Sequence, residues 1–407
     1  MAKEQASCPE CGKAIPEGEN QCPWCATITG LAAGRREPIL VFSFVGIIIL
    51  FAIVGFAVRS YHRLEQSLAV DWFLKGESSL RGGDPAQAVR DSRDAMAYSR
   101  DNPLYRLRLA RALMAAGHPD EARPHLLNLW ERQPGDGHVN LELARLEAAR
   151  GNAEEASRYY QGAIYGVWPQ DPDKYRLEAR FELCEFLLAH GLKTEAQARL
   201  IELSAQLPRD PVLRARVGSM LMRAGDDARA LQEFQQALRV NTGLVEALRG
   251  AGHAAYNLAH YRDALLYLNK ASSKNSSDVE TMRLVETSRQ VLNMDPFAPR
   301  ISTAERARRT IRIYQEATKR VESCSAQRGE SLDFEKPTTE LQFAWSRAKE
   351  FEPALKQGSL ARDADLLSNT AHLAFELTEL AARECGPSDA KYDALRLVAG
   401  LRMGGEP

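Results

Sequence analysis

Four of the seven cysteines stand in two short knuckles, Cys8-Pro9-Glu10-Cys11-Gly12 and Cys22-Pro23-Trp24-Cys25, with ten residues between them. A Cys-x-x-Cys turn lets two thiolates converge on one ion, and two such turns complete a closed tetrahedral shell of sulfur. That shell leaves no coordination position open to water, so the chemistry it offers is structural and not catalytic. The predicted metal set is Cys8, Cys11, Cys22 and Cys25, holding one Zn2+ per chain. Two disulfides, or iron in the same four-thiolate shell, would use the same residues. A segment this short buries almost no apolar surface and owes its fold to the metal, which favours zinc. Lys3, Lys13, Arg35 and Arg36 are too small an electrostatic footprint for nucleic acid, so no nucleic-acid partner is expected.

The knuckles "CPECG" and "CPWC" resemble the small zinc-ribbon domains found at bacterial N-termini, over residues 6–27. Ala26 stands where such ribbons usually have Gly.

After a linker over 28–37, Pro38 to Val58 contains no charged residue. As a helix at ~1.5 Å per residue, 21 residues span roughly the hydrocarbon core of a bilayer. The expectation is an uncleaved single-pass membrane helix. Arg35 and Arg36 on one flank and Arg59, Arg63 and Lys75 on the other leave the positive-inside count undecided. Thiolates held for zinc are safer in a reducing cytoplasm, which places the ribbon inside and the rest of the chain on the periplasmic or other extracytoplasmic side of the cell (inner) membrane.

The whole chain of 407 residues carries 53 Lys plus Arg against 54 Asp plus Glu, so no global charge attracts nucleic acid or anionic lipid. Past residue 60, helix formers dominate and alternating β-type runs are nearly absent, which predicts an all-α fold. "GGDPAQA", "AGHPDEA", "RGNAEEA", "HGLKTEA", "AGDDARA" and "LAHYRDA" are one recurring turn, ending at Ala88, Ala122, Ala156, Ala196, Ala230 and Ala264. The steps are 34, 34, 40, 34 and 34 residues, the long one carrying an insertion around 166–175. Over residues 69–293 this period resembles the tetratricopeptide repeat, six repeats plus a seventh first helix. The resemblance implies a solenoid of paired helices, with small residues at repeat positions 8 and 20 and a groove lined by first-helix positions 2, 5, 6, 9, 12 and 13.

Mapped onto those positions, the groove residues are Arg81, Arg108, Arg111 and Arg145 in the first three repeats, Glu178, Glu182 and Glu185 in the fourth, and Arg216, Arg223, Arg249, His253 and Tyr256 in the fifth and sixth. The implied partners are proteins or peptides of complementary charge. The Lys and Asn pair with which chaperone-binding members of the family clamp a terminal carboxylate is missing from every repeat.

"STAER" at 302–306 begins a helical region without the period, predicted to cap the solenoid as three or four segments over 302–401. Cys324 and Cys385 there could pair on an oxidising side, or stay unrelated thiols. Cys184 takes a small core position. No phosphate-binding glycine loop, His/Glu metal pair or nucleophile elbow is present, so neither enzyme activity nor a small-molecule substrate is expected. Two roles fit: a membrane-anchored scaffold for partner polypeptides of an envelope assembly, or a single-pass regulator coupling partner binding outside to a ribbon interaction inside.

Overall fold

A computed structural model describes residues 6–274, 278–332, 336–386 and 390–403; for 26–39 and 390–391 only the backbone course is described. Among the described residues the fold is helical throughout, with two isolated β-bridges, Ser7 to Ala14 and Asp136 to Val167. The chain divides into two compact units, residues 1–167 and 168–407.

In the first unit, the second knuckle opens the long helix α1 (Pro23–Arg81), with Cys22 as N-cap and Pro23 at the first turn. The backbone of 28–37, predicted as a linker, continues as helix, while its side chains lie outside the described residues. From Leu40 to Val58 the side chains are exposed, with Phe42 at 76 %, so none of the described residues covers this apolar stretch. The same helix then supplies the first helix of the first repeat: Ala69 and Gly76 are buried and pack on α2 (Pro85–Tyr98). Two further hairpins follow, α3 (Pro103–Ala115) with α4 (Pro119–Arg132) and α5 (Gly137–Ala149) with α6 (Ala153–Tyr165).

The starts of these helices follow local rules. Asp84, Asn102 and Asp136 each accept a backbone N–H of the first turn, and Pro sits at the first turn of α2, α3 and α4, where a missing donor costs nothing. The turn glycines Gly83, Gly117 and Gly151 have φ between +77° and +79°, a conformation that disfavours any side chain.

The second unit opens on the insertion. Its Trp168 stacks on Tyr175 at 4.9 Å, and the insertion extends the first helix of the fourth repeat into the 18-residue α7 (Pro172–Ala189). Then come α8 (Lys193–Gln206), α9 (Pro211–Arg223), α10 (Asp227–Val240), α11 (Val245–Asn257), α12 (Tyr261–Ser272) and the unpaired first helix α13 (Val279–Met294). Phe234 on α10 shows why positions near the helix contacts stay small. A Cβ on Gly218 of α9 would lie 2.9 Å from its ring, and one on Gly250 of α11 would lie closer still.

The C-terminal region forms α14 (Thr303–Arg328), α15 (Glu340–Phe351), a 3-10 turn (Glu352–Ala354), the short α16 (Gln357–Arg362), α17 (Ala364–Cys385) and α18 (Ala390–Met403). This corrects the expected three or four segments: the described residues form five α-helices, because Pro353 and Asp363 break the middle of the region into short pieces. Their core, with Phe375, Trp345 and Val398, is continuous with Tyr261, Val291 and Met294 of the last repeat helices. Ser302 accepts from the Glu305 backbone, but the Glu305 carboxylate is taken by Arg308 and Arg309, so only this half of the predicted capping box is observed. Cys324 and Cys385 are joined in a disulfide, closing α14 onto the end of α17.

Candidate metal centre and binding faces

The four cysteine sulfurs lie within 4.8 Å of one another, Cys11 to Cys22 at 3.5 Å and Cys8 to Cys25 at 3.9 Å. A tetrahedral zinc with sulfurs at 2.3 Å requires sulfur separations of about 3.8 Å, so the site fits a metal ion of that size. The first knuckle turns back through the Gly12 N–H to Cys8 O bond of 2.9 Å, with Gly12 at φ +70°. The second knuckle lies on a helix N-terminus. Backbone N–H groups of Cys25, then Trp24, hold the Cys22 thiol down to about 7, the direction needed to present a thiolate. Cys25 is pushed up to about 12, first by its hydrogen bond to Cys11, so a bound cation would have to displace its proton. Cys8 and Cys22 are buried, and Cys11 faces solvent.

The groove positions of the first unit carry internal ion pairs. Arg108 pairs with Glu77 and lies 5.4 Å over the Phe73 ring. Burial lowers the Arg108 pKa from its ordinary value against the pull of Glu77. Arg111 Nε donates to Glu142 Oε1 at 2.7 Å, and Arg145 Nη1 donates to the same oxygen at 2.9 Å. Arg81 joins neither pair; it ends α1, exposed, with Nε on the Glu77 carbonyl at 3.4 Å. Sequence reasoning missed Glu77 and Glu142. Both were legible, since they occupy groove positions 9 and 6 of their repeats, the same register that selected the arginines.

In the second unit, Glu178 and Glu182 stand one turn apart on α7, and Glu185 pairs with Arg223 at 2.6 Å. Arg216 is exposed and lies 4.1 Å over the Phe181 ring. Arg249 is 3.6 Å from Asp278, whose carboxyl is held low first by the Thr281 backbone N–H and then by the Thr281 hydroxyl. His253 is half-buried, its Nε2 has no hydrogen-bond partner among the described residues, and burial lowers its pKa so that the neutral ring is favoured. Tyr256 meets Tyr261 edge-on at 5.5 Å. Cys184 is buried in the core and its thiol is pushed up to about 12 by burial, as befits a packing residue.

Two family models, each described as tetratricopeptide repeat, match residues 79–134 and 107–173. Residues 79–173 are tetratricopeptide repeats. The TPR repeat-containing thioredoxin TTL4 of Arabidopsis thaliana is 32% identical over 112 residues, which are 27% of this chain and 16% of that protein, so the chain spans a small part of that relative's length. Among solved structures, PilW, a widely conserved type IV pilus biogenesis factor, has TM-score 0.41 at 19% identity, covering 53% of this chain and 98% of its own. YrrB, a TPR protein with an unusual peptide-binding site, has TM-score 0.38 at 15% identity, covering 48% and 97%. The P58(IPK) TPR domain has TM-score 0.29 at 15% identity, covering 82% and 99%. Tetratricopeptide repeats are in general protein-interaction scaffolds.

Proposed function

We propose that the chain is a single-pass membrane scaffold, with a zinc-bearing ribbon in the cytoplasm and a repeat region outside that gathers partner polypeptides of an envelope assembly. The observation that carries it is α1. Its apolar stretch from Leu40 to Val58 is covered by none of the described residues, and the same helix runs on without a break into the first repeat. A bare apolar surface of this length is stable only against another apolar phase, and a helix with all its backbone bonds internal can cross a bilayer. Ten residues separate Val58 from Ala69, about 16 Å of helix, enough to lift the repeats clear of the headgroups.

Cysteine chemistry supports the orientation. On one side of the apolar stretch lie four free thiols gathered for a metal; on the other lies the Cys324–Cys385 disulfide. Each is the form its proposed compartment favours.

Partner recognition falls on groove side chains that the fold does not consume. Arg216 is the best placed, being exposed and stacked only on Phe181. The full chain, affinity-purified from solubilised membranes, should recover partner polypeptides, and Arg216→Glu should reduce that recovery several-fold without changing helicity or melting. Recovery of nothing above a mock purification would contradict the scaffold reading. The continuity of α1 from knuckle to repeat also favours the regulator as a second reading, distinguished by a change of assembly state on partner capture.

A further inference from the structure

A cavity of about 530 Å3 opens where α18 packs against α13 in the second unit. Two of its walls come from groove positions: Tyr256, position 12 of the sixth repeat, and Arg283, position 5 of the seventh first helix. Tyr261 and, from α18, Leu397, Leu401 and Met403 complete the apolar lining. Leu401 and Met403 are 41% and 48% exposed, while Leu397 of the same helix packs against the region's main core. Gly400 precedes them on α18, and a Cβ added there would meet none of the described residues within 4 Å, so α18 leaves space beside it.

The charges around this cavity differ from most of the arginines on the first-helix faces. Arg108, Arg111, Arg145, Arg223 and Arg249 are each matched by a carboxylate of the chain itself. Of the cavity's four charged groups only Arg283 is so matched, by Glu280 through bonds of 2.8 and 3.0 Å. Glu379, Asp393 and Arg396 also line the cavity, and none has an opposite charge within ion-pairing distance among the described residues. With Arg283 held by Glu280, Arg396 stands with Glu379 and Asp393, so a ligand group of either charge would meet repulsion along with attraction. Main-chain N–H and C=O groups, by contrast, can use both signs at once.

From the open apolar walls, the rim of mixed sign and the continuity with groove positions, we infer that this cavity anchors one large uncharged apolar side chain of an extended polypeptide, whose main chain lies across Asp393 and Arg396. The inference rests on the scaffold reading only in taking the ligand to be a polypeptide. It gives the groove a fixed end. An aromatic or long aliphatic side chain would bury its surface against Tyr256, Leu397 and Met403, and Met adapts readily to different shapes.

The test uses the full chain reconstituted in lipid nanodiscs. The probe is an acetylated, amidated Ser/Gly peptide with p-benzoylphenylalanine at its centre, photo-crosslinked and mapped by mass spectrometry. Adducts should fall on Tyr256 and on residues 397–403. The same peptide with Phe at its centre should compete at least tenfold better than peptides with Gly, Lys or Glu there. Gly400→Trp should reduce the adduct at least tenfold and Gly400→Ala should not, both with unchanged melting; if Gly400→Trp lowers melting, Gly400→Leu replaces it. Adducts confined to other surfaces, or indifferent to filling at Gly400, would overturn the site. Better competition by Lys or Glu would overturn the uncharged anchor. Such a failure leaves partner recovery from membranes intact, whereas an empty membrane purification contradicts the scaffold reading and not the cavity.

Discussion

Arg111 Nε lies 2.7 Å from Glu142 Oε1, and the Glu142 side chain is only 6% exposed. The arginine is a groove residue by position and a structural counter-ion by contact. With Arg145 on the same oxygen, a buried carboxylate is neutralised by two neighbours from adjacent first helices.

Glu142→Ala should therefore destabilise the chain by about 1–2 kcal/mol, less than for a fully buried pair because the two arginines keep a quarter to a third of their exposure. Arg111→Glu with Arg145→Glu would bring three carboxylates together and lower melting as well, so loss of partner binding in that variant would not report recognition. Denaturant unfolding of Arg111→Ala, Glu142→Ala and the double variant checks the pair. Additive losses would show that they do not interact.

Gly218→Ala and Gly250→Ala should each cost on the order of 1–3 kcal/mol, since the added methyl meets the Phe234 ring in a core without room to yield. Phe234→Leu in the same background should recover part of the loss. Thermal melting followed by circular dichroism decides it, and a neutral Gly250→Ala would contradict the packing described.

Ala259 takes the turn position that glycine fills in the other repeats, at φ +59°. Ala259→Gly should stabilise the chain by about 0.5–1 kcal/mol, the relief of left-handed strain exceeding the extra entropy of glycine in the unfolded chain. A decrease in stability would mean that the methyl contributes packing worth more than the strain.

Denatured chain purified from membranes under an alkylating agent, with metal chelated, should show five reactive thiols before reduction and seven after. The difference is the Cys324–Cys385 bridge. It closes a loop of about sixty residues, and on the chain-entropy account its removal by Cys385→Ser costs about 4 kcal/mol. Seven thiols from the outset would place residues 324 and 385 in a reducing compartment.

The repeat was legible because close helix packing demands small residues at fixed steps, and Ala88 through Ala264 display that demand directly. The cysteine cluster was legible for a like reason, since bringing four sulfurs to one point restricts their spacing. The counter-ions were legible but passed over: Glu77 and Glu142 share the register of the arginines, and reading cations alone made the face look more basic than it is. The cavity was not legible at all. It depends on where α18 docks, and that is set by the non-repeating core around Phe375 and Val398, for which no period exists.

Orientation across the membrane is the central claim, and a reporter joined after Pro407 tests it most directly. A phosphatase that folds only outside the cytoplasm should be active there, and a fluorescent protein that matures only inside should stay dark. An inactive phosphatase with a bright fluorescent fusion would put the repeats in the cytoplasm and contradict the account.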